Sequence, residues 1–306
     1  MSKVSILLSV YKPNEAFLQE QLLSLNAQTY GELELIVWND CPDCPLDRAL
    51  FERCITAFPL TLVDEKRNLG YIKAFEKLTT LADGTYVAYC DQDDVWEADK
   101  IAACVAALEK AGAVAAVCDK SIIDDKGNVT CDSVRHHSKA PCDTWNTGDD
   151  ITARAAFRCY ATGMSILARR DAVEACMPFS TYTGHDKWLM LCLSAAGRIA
   201  YVDRPLIRYR RYGKNVTGTL NGVNSKQDYY TERCATSVGV VEDFAALFPA
   251  HPQLPAMRAC AAARMGKNPF RLAKYRSLIP ETYTFEVLLA LCPAFLFKFA
   301  KKILFG

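Results

Sequence analysis

The first 120 residues alternate short unbroken apolar runs with stretches of helical periodicity, and this pattern constrains the fold most. The apolar runs are 4–10, 33–38, 60–63, 86–89 and 113–118. Between them, Phe17, Leu18, Gln21, Leu22 and Leu25 recur at helical spacing, as do Ile72, Phe75, Leu78 and Leu81, and then residues 101–108. Strands buried on both faces read as continuous apolar runs, and parallel neighbours need helical crossovers. The alternation therefore predicts an α/β fold with a mostly parallel sheet flanked by helices. In such sheets ligands bind beyond the carboxyl ends of the strands, where the strand order reverses. Polar clusters fall after the first, second and fourth predicted strands: Tyr11-Lys12-Pro13-Asn14, Asn39-Asp40 and Asp91-Gln92-Asp93-Asp94.

Beyond residue 120 the pattern loosens. Asp124-Asp125-Lys126-Gly127-Asn128 predicts a tight turn between short strands, and 135–150 reads as a loop. Further strands are expected at 164–167, 199–202 and 206–209, the last two separated by Pro205. A helix is expected at 187–196, ended by Gly197. From about residue 223 the pattern is helical, which suggests a catalytic domain over 1–220 and a helical C-terminal extension over 221–306. The apolar stretch 287–297, broken by Pro293, is too short to span a bilayer.

A net charge of +1 removes the strongly basic signal of a general nucleic-acid binder. It is an average of unlike parts. Residues 1–250 hold 27 basic and 33 acidic side chains, whereas 251–306 hold 9 and 2. Basic residues beside the apolar stretch suggest peripheral contact with an anionic membrane; a helix docked on the domain is the alternative. The fourteen cysteines are irregularly spaced, and the N-terminal apolar run is too short for a secretory signal, so a reducing cytoplasm is expected. The Cys41-Pro42-Asp43-Cys44 motif has no second pair at zinc-ribbon spacing and reads as a loop carrying two free thiols.

The Asp91, Asp93, Asp94 cluster bears most directly on chemistry. Three carboxylates in four residues repel one another unless they are solvated, paired with bases or neutralised by a cation. Hard oxygen ligands of this kind suit Mg²⁺ or Mn²⁺ sharing its shell with substrate phosphates. A helix N-terminus would account for Asp94 and Glu97 but does not need Asp91 and Asp93.

At this point the chain resembles a known family. The run from Val4 to Tyr11, then Gln28-Thr29-Tyr30, Glu34-Leu35-Ile36-Val37, Asn68-Leu69-Gly70 and the Asp91–Asp93 cluster are similar to the nucleotide-binding half of family 2 glycosyltransferases with the GT-A fold. The wording Asp91-Gln92-Asp93-Asp94-Val95-Trp96 is most similar to the bacterial rhamnosyltransferase-like branch. The likeness continues through Gly163-Met164-Ser165, His185-Asp186-Lys187-Trp188-Leu189 and the segment 209–216, and covers roughly residues 3–218.

The resemblance implies roles for particular residues. Tyr11 would lie against the nucleobase, where aromatic stacking is worth about 1–3 kcal/mol. Asn39 stands where relatives usually carry an aspartate facing a pyrimidine; either Asn39 or Asp40 would meet the uracil or thymine edge. Asn68, Gly70 and Lys73 would face the nucleotide, Lys73 being equally readable as a solvated helix residue. Asp91 would sit near the ribose, and Asp93, with Asp91, would hold Mn²⁺ or Mg²⁺ on the diphosphate. Asp186 would be the general base for an inverting displacement, its alternative being a helix cap. His185 would orient Asp186 or lie on the surface. Near 210–213 relatives often carry Arg-x-His-Gly, and this chain has Arg210-Arg211-Tyr212-Gly213. Tyr212 would hydrogen-bond a phosphate or pack beside the strand, and Arg210 or Arg211 would supply charge to the leaving group.

The implied reaction moves a sugar from a pyrimidine nucleotide-sugar (dTDP- or UDP-linked) to a cell-surface glycan or lipid-linked acceptor, at the inner face of the cytoplasmic membrane. Rhamnose from dTDP-rhamnose is the first expectation and a UDP-hexose the second. No Gly-x-Gly-x-x-Gly or Gly-x-x-x-x-Gly-Lys follows the first strand, which argues against a dinucleotide oxidoreductase and a P-loop enzyme. The departures at Asn39 and Tyr212 leave a non-catalytic sugar-nucleotide-binding subunit as the alternative outside enzymes.

Overall fold

A computed structural model describes residues 1–139, 144–212, 223–294 and 297. Nine strands form one mixed sheet: β1 (Val4–Val10), β2 (Leu33–Asn39), β3 (Leu60–Asp64), β4 (Tyr86–Cys90), β5 (Val95–Trp96), β6 (Ala115–Ile123), β7 (Val129–Cys131), β8 (Ile166–Arg169) and β9 (Ile199–Arg210). Their order in space is β3-β2-β1-β4-β8-β6-β9-β5, with β7 added to β6. The β3-β2-β1-β4 half is parallel throughout, as the alternating pattern predicts. Beyond β4 the sheet is mixed: β8 runs antiparallel to β4 and β6, while β9 pairs parallel with β6.

The period-2 geometry of β1 divides the core. Leu7 enters one cluster, with Val87 and Tyr89 of β4 and the helices Tyr71–Leu81 and His185–Ala196. Ile6 and Leu8 enter the other, with Ala88 and Cys90 and the helices Glu15–Asn26, Arg48–Cys54 and Lys100–Ala111. Successive side chains point to opposite faces, so a strand covered on both sides must be apolar at every position.

Three expectations are adjusted. The two strands predicted around Pro205 are one strand, β9, and its pairing with β6 shifts register near Asp119, opposite the proline. Met164 lies in a 3-10 turn, and the strand begins only at Ile166. A helical turn, Val134–His137, occupies the start of the expected 135–150 loop, of which 140–143 lie outside the described residues, and Trp145 is buried, donating from Nε1 to the Tyr160 carbonyl at 3.1 Å. The predicted tight turn is present: Asp124 Oδ1 accepts from the amides of Lys126 and Asn128 at 2.9 and 2.8 Å.

The C-terminal helices join the first core. Val240, Phe244, Met257 and Cys260 belong to the same cluster as Leu7 and Tyr89. Arg264 and Glu286 form a buried ion pair at 2.6 Å within this layer.

Candidate active site

Strand order reverses at β1, whose neighbours are β2 on one side and β4 on the other. The crevice beyond the carboxyl ends of β1 and β4 is therefore the ligand position for this topology. Gln92 fastens its two walls. Its Oε1 accepts from the Tyr11 amide at 2.8 Å, and its Nε2 donates to the Tyr11 carbonyl at 3.1 Å. Tyr11 itself is 46% exposed, and the Lys12 ammonium lies 5.3 Å from its ring centroid. Nothing local in the sequence marks Gln92 for this role, because its partner lies 81 positions away.

The acidic loop after β4 is held from below by β9. Asp94 is fully buried and accepts from the Arg210 amide at 3.0 Å. The Arg210 guanidinium donates to the Asp93 carbonyl at 3.0 Å, pairs with the Glu20 carboxylate and lies 4.2 Å over the Phe17 ring. Arg210 is thus buried and engaged in fixing the loop, rather than placed to charge the leaving group as expected. Arg211 donates its amide to the Ile123 carbonyl at 2.8 Å, continuing the strand edge. The Tyr212 hydroxyl donates to Asp93 Oδ2 at 2.7 Å, so it addresses the carboxylate directly. The expected motif continues into residues 213–216, which lie outside the described residues.

Negative charge is concentrated here. Burial, then the charges of Asp93 and Asp186, push the Asp91 carboxyl up to about 7. Burial also raises Asp93, against the opposing hydrogen bond from Tyr212. Asp94 is raised well above the usual carboxylate range by burial and by both neighbouring aspartates. Among the described residues no three His, Cys, Asp or Glu side chains are grouped to hold a metal. Asp91 and Asp93 nevertheless fit a hard divalent cation, which takes one or two carboxylates and completes its shell with phosphate and water.

On the nucleobase side the polar groups are engaged in building the loops. Asn39 Nδ2 donates to the Cys44 carbonyl and to Asp64 Oδ1 at 2.9 and 3.1 Å, and its Oδ1 accepts from the Cys41 amide at 3.1 Å. Asp40 is buried and accepts from the amides of Leu69 and Gly70 at 2.8 and 2.9 Å. Asn68 Oδ1 accepts from the same Gly70 amide at 3.0 Å. Gly70 has φ +76, a left-handed conformation that favours glycine. Asn39 and Asp40 therefore shape the pocket wall, and neither presents an open pyrimidine-reading edge. Lys73 is paired with Glu76 at 2.9 Å, so its charge is already answered on its own helix.

Asp186 reaches the crevice from the helix His185–Ala196, close enough for its charge to act on Asp91. The N-cap of that helix is Gly184, and Asp186 accepts from the Lys187 amide at 2.7 Å within the first turn. A Cβ on Gly184 would stand 2.6 Å from Asp186 Oδ1 and 3.4 Å from the Tyr71 hydroxyl. The glycine thus leaves room for both. His185 is not a surface residue. It is buried, its ring centroid 4.2 Å from Phe75 and 5.5 Å from Tyr89, and neither ring nitrogen has a partner among the described residues. Burial lowers its pKa to about 4, so the ring is neutral. Burial, then the nearby Arg264 charge, lowers the Lys187 ammonium to about 8.

The crevice at the switch point of this α/β sheet gathers acidic side chains. The sequence profile of glycosyl transferase family 2 matches residues 5–163, just over half of the chain. The chain belongs to that family and is a glycosyltransferase. An uncharacterised glycosyltransferase of Nostoc is 23% identical over 235 residues, 74% of this chain and 70% of the relative. Another from Haemophilus influenzae is 27% identical over 226 residues, 72% of this chain and 80% of that one. Among solved structures, TarS of S. aureus in complex with UDP is similar over 94% of this chain and 87% of its own, with a TM-score of 0.61 and 13% identity. The mannosyltransferase PcManGT of Pyrobaculum calidifontis, in complex with GDP-Man and Mn²⁺, is similar over 92% of this chain and 75% of its own, with a TM-score of 0.55 and 18% identity. At these identities the structural likeness concerns the fold.

Proposed function

We propose that the protein is an inverting, metal-dependent glycosyltransferase that takes its sugar from a pyrimidine nucleoside diphosphate. The observation that carries this reading is the convergence of Asp91, Asp93 and Asp186 in one crevice, where their charges oppose one another. A bound Mn²⁺ or Mg²⁺ supplies the counter-charge for the carboxylates and the diphosphate, with Asp93 and Asp91 as its protein ligands. Tyr212 orients Asp93 through its hydroxyl. Tyr11 stacks on the base, and Asp40 with Asn68 holds the loop before Lys73 in place.

Asp186 accepts the proton of the acceptor hydroxyl. The freed oxygen attacks the anomeric carbon from the face opposite the diphosphate. The bond from that carbon to the diphosphate oxygen breaks, and the nucleoside diphosphate leaves with the electron pair. One in-line displacement through an oxocarbenium-like transition state inverts the centre. The family resemblance favours dTDP-rhamnose as donor. The UDP complex of the fold neighbour supports a UDP-hexose as the second reading. The acceptor in this reading is a glycan or lipid-linked saccharide at the inner face of the membrane.

Asp186→Asn should lose transfer by at least about a hundredfold, the usual scale of a general base, while calorimetry shows unchanged UDP affinity in Mn²⁺. Turnover within threefold (~0.65 kcal/mol) of the parent would remove Asp186 as base. In the same assay a chelator should stop the reaction and excess Mn²⁺ restore it. Full activity in chelator would defeat the metal assignment.

A further inference from the structure

The Cys41-Pro42-Asp43-Cys44 segment is a closed turn at the edge of the crevice. The Cys44 amide donates to the Cys41 carbonyl at 3.0 Å across residues i and i+3. Pro42 occupies the position where its fixed φ suits such a turn. A turn of this kind brings its end Cα atoms within about 7 Å, and a disulfide needs about 4.4–6.8 Å. The two thiols are in hydrogen-bond contact, and no disulfide joins them. Two other thiol pairs touch among the described residues, Cys104 with Cys118 and Cys176 with Cys192, but all four of those cysteines are buried. Cys44 alone among these six is exposed. The Lys12 ammonium lies near both sulfurs of the turn and opposes, without overcoming, the rise that contact with Cys41 and burial impose on the Cys44 thiol, so the thiolate is its minor form.

The turn is also wired to the pocket wall. Asn39 bridges it end to end, its Oδ1 on the Cys41 amide and its Nδ2 on the Cys44 carbonyl. The next residue, Asp40, holds Leu69 and Gly70. Drawing the sulfurs from hydrogen-bond contact to a bond of about 2.05 Å pulls Cys44 inward and disturbs the Asn39 bridge.

We propose that Cys41 and Cys44 form a reversible dithiol–disulfide site that responds to low-molecular-weight disulfides and weakens donor binding when oxidised. In the first step the Cys44 thiolate attacks one sulfur of an external disulfide, RSSR, breaking its S–S bond and releasing one RS⁻. The Cys41 thiolate then attacks Cys44 Sγ, forming the Cys41–Cys44 bond and releasing the second RS⁻. The two protons leave the protein thiols and end on the two RSH products. The external disulfide is reduced by two electrons and the protein dithiol is oxidised by two. The donor clause rests on the nucleotide-pocket reading above, whereas the disulfide itself does not.

The test equilibrates the full chain with glutathione and glutathione disulfide mixtures, quenches with an alkylating agent and reads each cysteine by mass spectrometry. The expected product has Cys41 and Cys44 joined and protected from alkylation, and it reverts on addition of reduced glutathione. Cys41→Ser should halt at a glutathione adduct on Cys44. A stable adduct on Cys44 of the parent with Cys41 still alkylatable, or no reaction at Cys44, would overturn the site. Calorimetry should then find UDP bound about threefold more weakly by the oxidised protein, within the range of one disturbed neutral hydrogen bond. The Cys41→Ser/Cys44→Ser variant should show no such dependence on glutathione disulfide. Equal UDP affinity of the two forms overturns the coupling while leaving the disulfide. Failure of both forms to bind UDP counts against the donor pocket, and the mass result still decides the disulfide.

Discussion

Single residues in this crevice serve chiefly by what they hold. The Asp91–Asp93 cluster is legible in sequence because clustered acids after a strand are a local pattern, whereas Asp186 is marked out only by the family resemblance. The roles of Asn39, Asp40 and Lys73 are not legible there, because each is decided by a partner elsewhere in the fold or by one neighbouring carboxylate. His185 is the sharpest example. Its sequence position beside Asp186 suggested a polar partner, yet Phe75, Tyr89 and the Cβ-free Gly163 enclose it. Its folded pKa of about 4 lies below the ordinary value of 6.5. Between those values the unfolded chain binds the proton and the folded chain does not, so stability falls as pH falls from 6.5 to about 4. The loss attributable to this ring approaches about 3 kcal/mol at the bottom of that window. Urea unfolding from pH 7 to 4 should show the slope in the parent and a flatter one in His185→Phe. Identical slopes would mean that the ring is protonated or solvated in the folded state.

At the level of elements, β9 organises the site from a distance. Arg210 joins three otherwise separate pieces through its side chain: the helix Glu15–Asn26 through Glu20 and Phe17, the acidic loop through the Asp93 carbonyl, and the 124–128 turn through the Asp124 carbonyl at 3.4 Å. Sequence periodicity locates β9 but not this junction, since the hydrogen-bonding partners lie 86 to 190 positions apart. A Lys at this position keeps the charge but has no planar fork, so it reaches fewer of these acceptors at once. Breaking a buried charged network by removing its partners costs about 3–5 kcal/mol; with Glu20 half exposed the lower end applies. Arg210→Lys should therefore lower the urea midpoint by an amount equivalent to about 2–3 kcal/mol. It should also weaken Mn²⁺-dependent UDP binding, because the Asp93 carbonyl loses its anchor. A midpoint within error of the parent would show that β9 is held by its backbone pairing alone.

For the whole molecule, the division of charge was visible from composition, but the way it is carried was not. The expected basic extension is packed into the main core through Val240, Phe244, Met257 and Cys260, because its helices carry their own apolar faces to the sheet. No helix among the described residues is long and apolar enough to cross a membrane. What the packing leaves outside is specific. Phe270 is 85% exposed, Leu288 53% and Leu291 68%, and Lys267, Arg271 and Lys274 are exposed near Phe270 in the chain. Lys298, Lys301 and Lys302, the basic residues that follow the 287–297 stretch, lie outside the described residues. Exposed apolar side chains flanked by cations suit the interface of an anionic bilayer, where each basic residue contributes about 1 kcal/mol and the apolar groups insert. We therefore expect the full chain to co-sediment with phosphatidylglycerol vesicles and not with phosphatidylcholine vesicles. Raising the salt should release it, since the Debye length shrinks from about 10 Å at 0.1 M to about 3 Å at 1 M. Phe270→Ser should weaken the association by about tenfold, the worth of burying part of one aromatic ring, without changing the urea midpoint, because that ring contributes little to the core. Equal sedimentation with neutral vesicles would point to nonspecific apolar adhesion. No sedimentation with either would mean that the charge polarity serves the anionic acceptor or donor rather than a membrane surface.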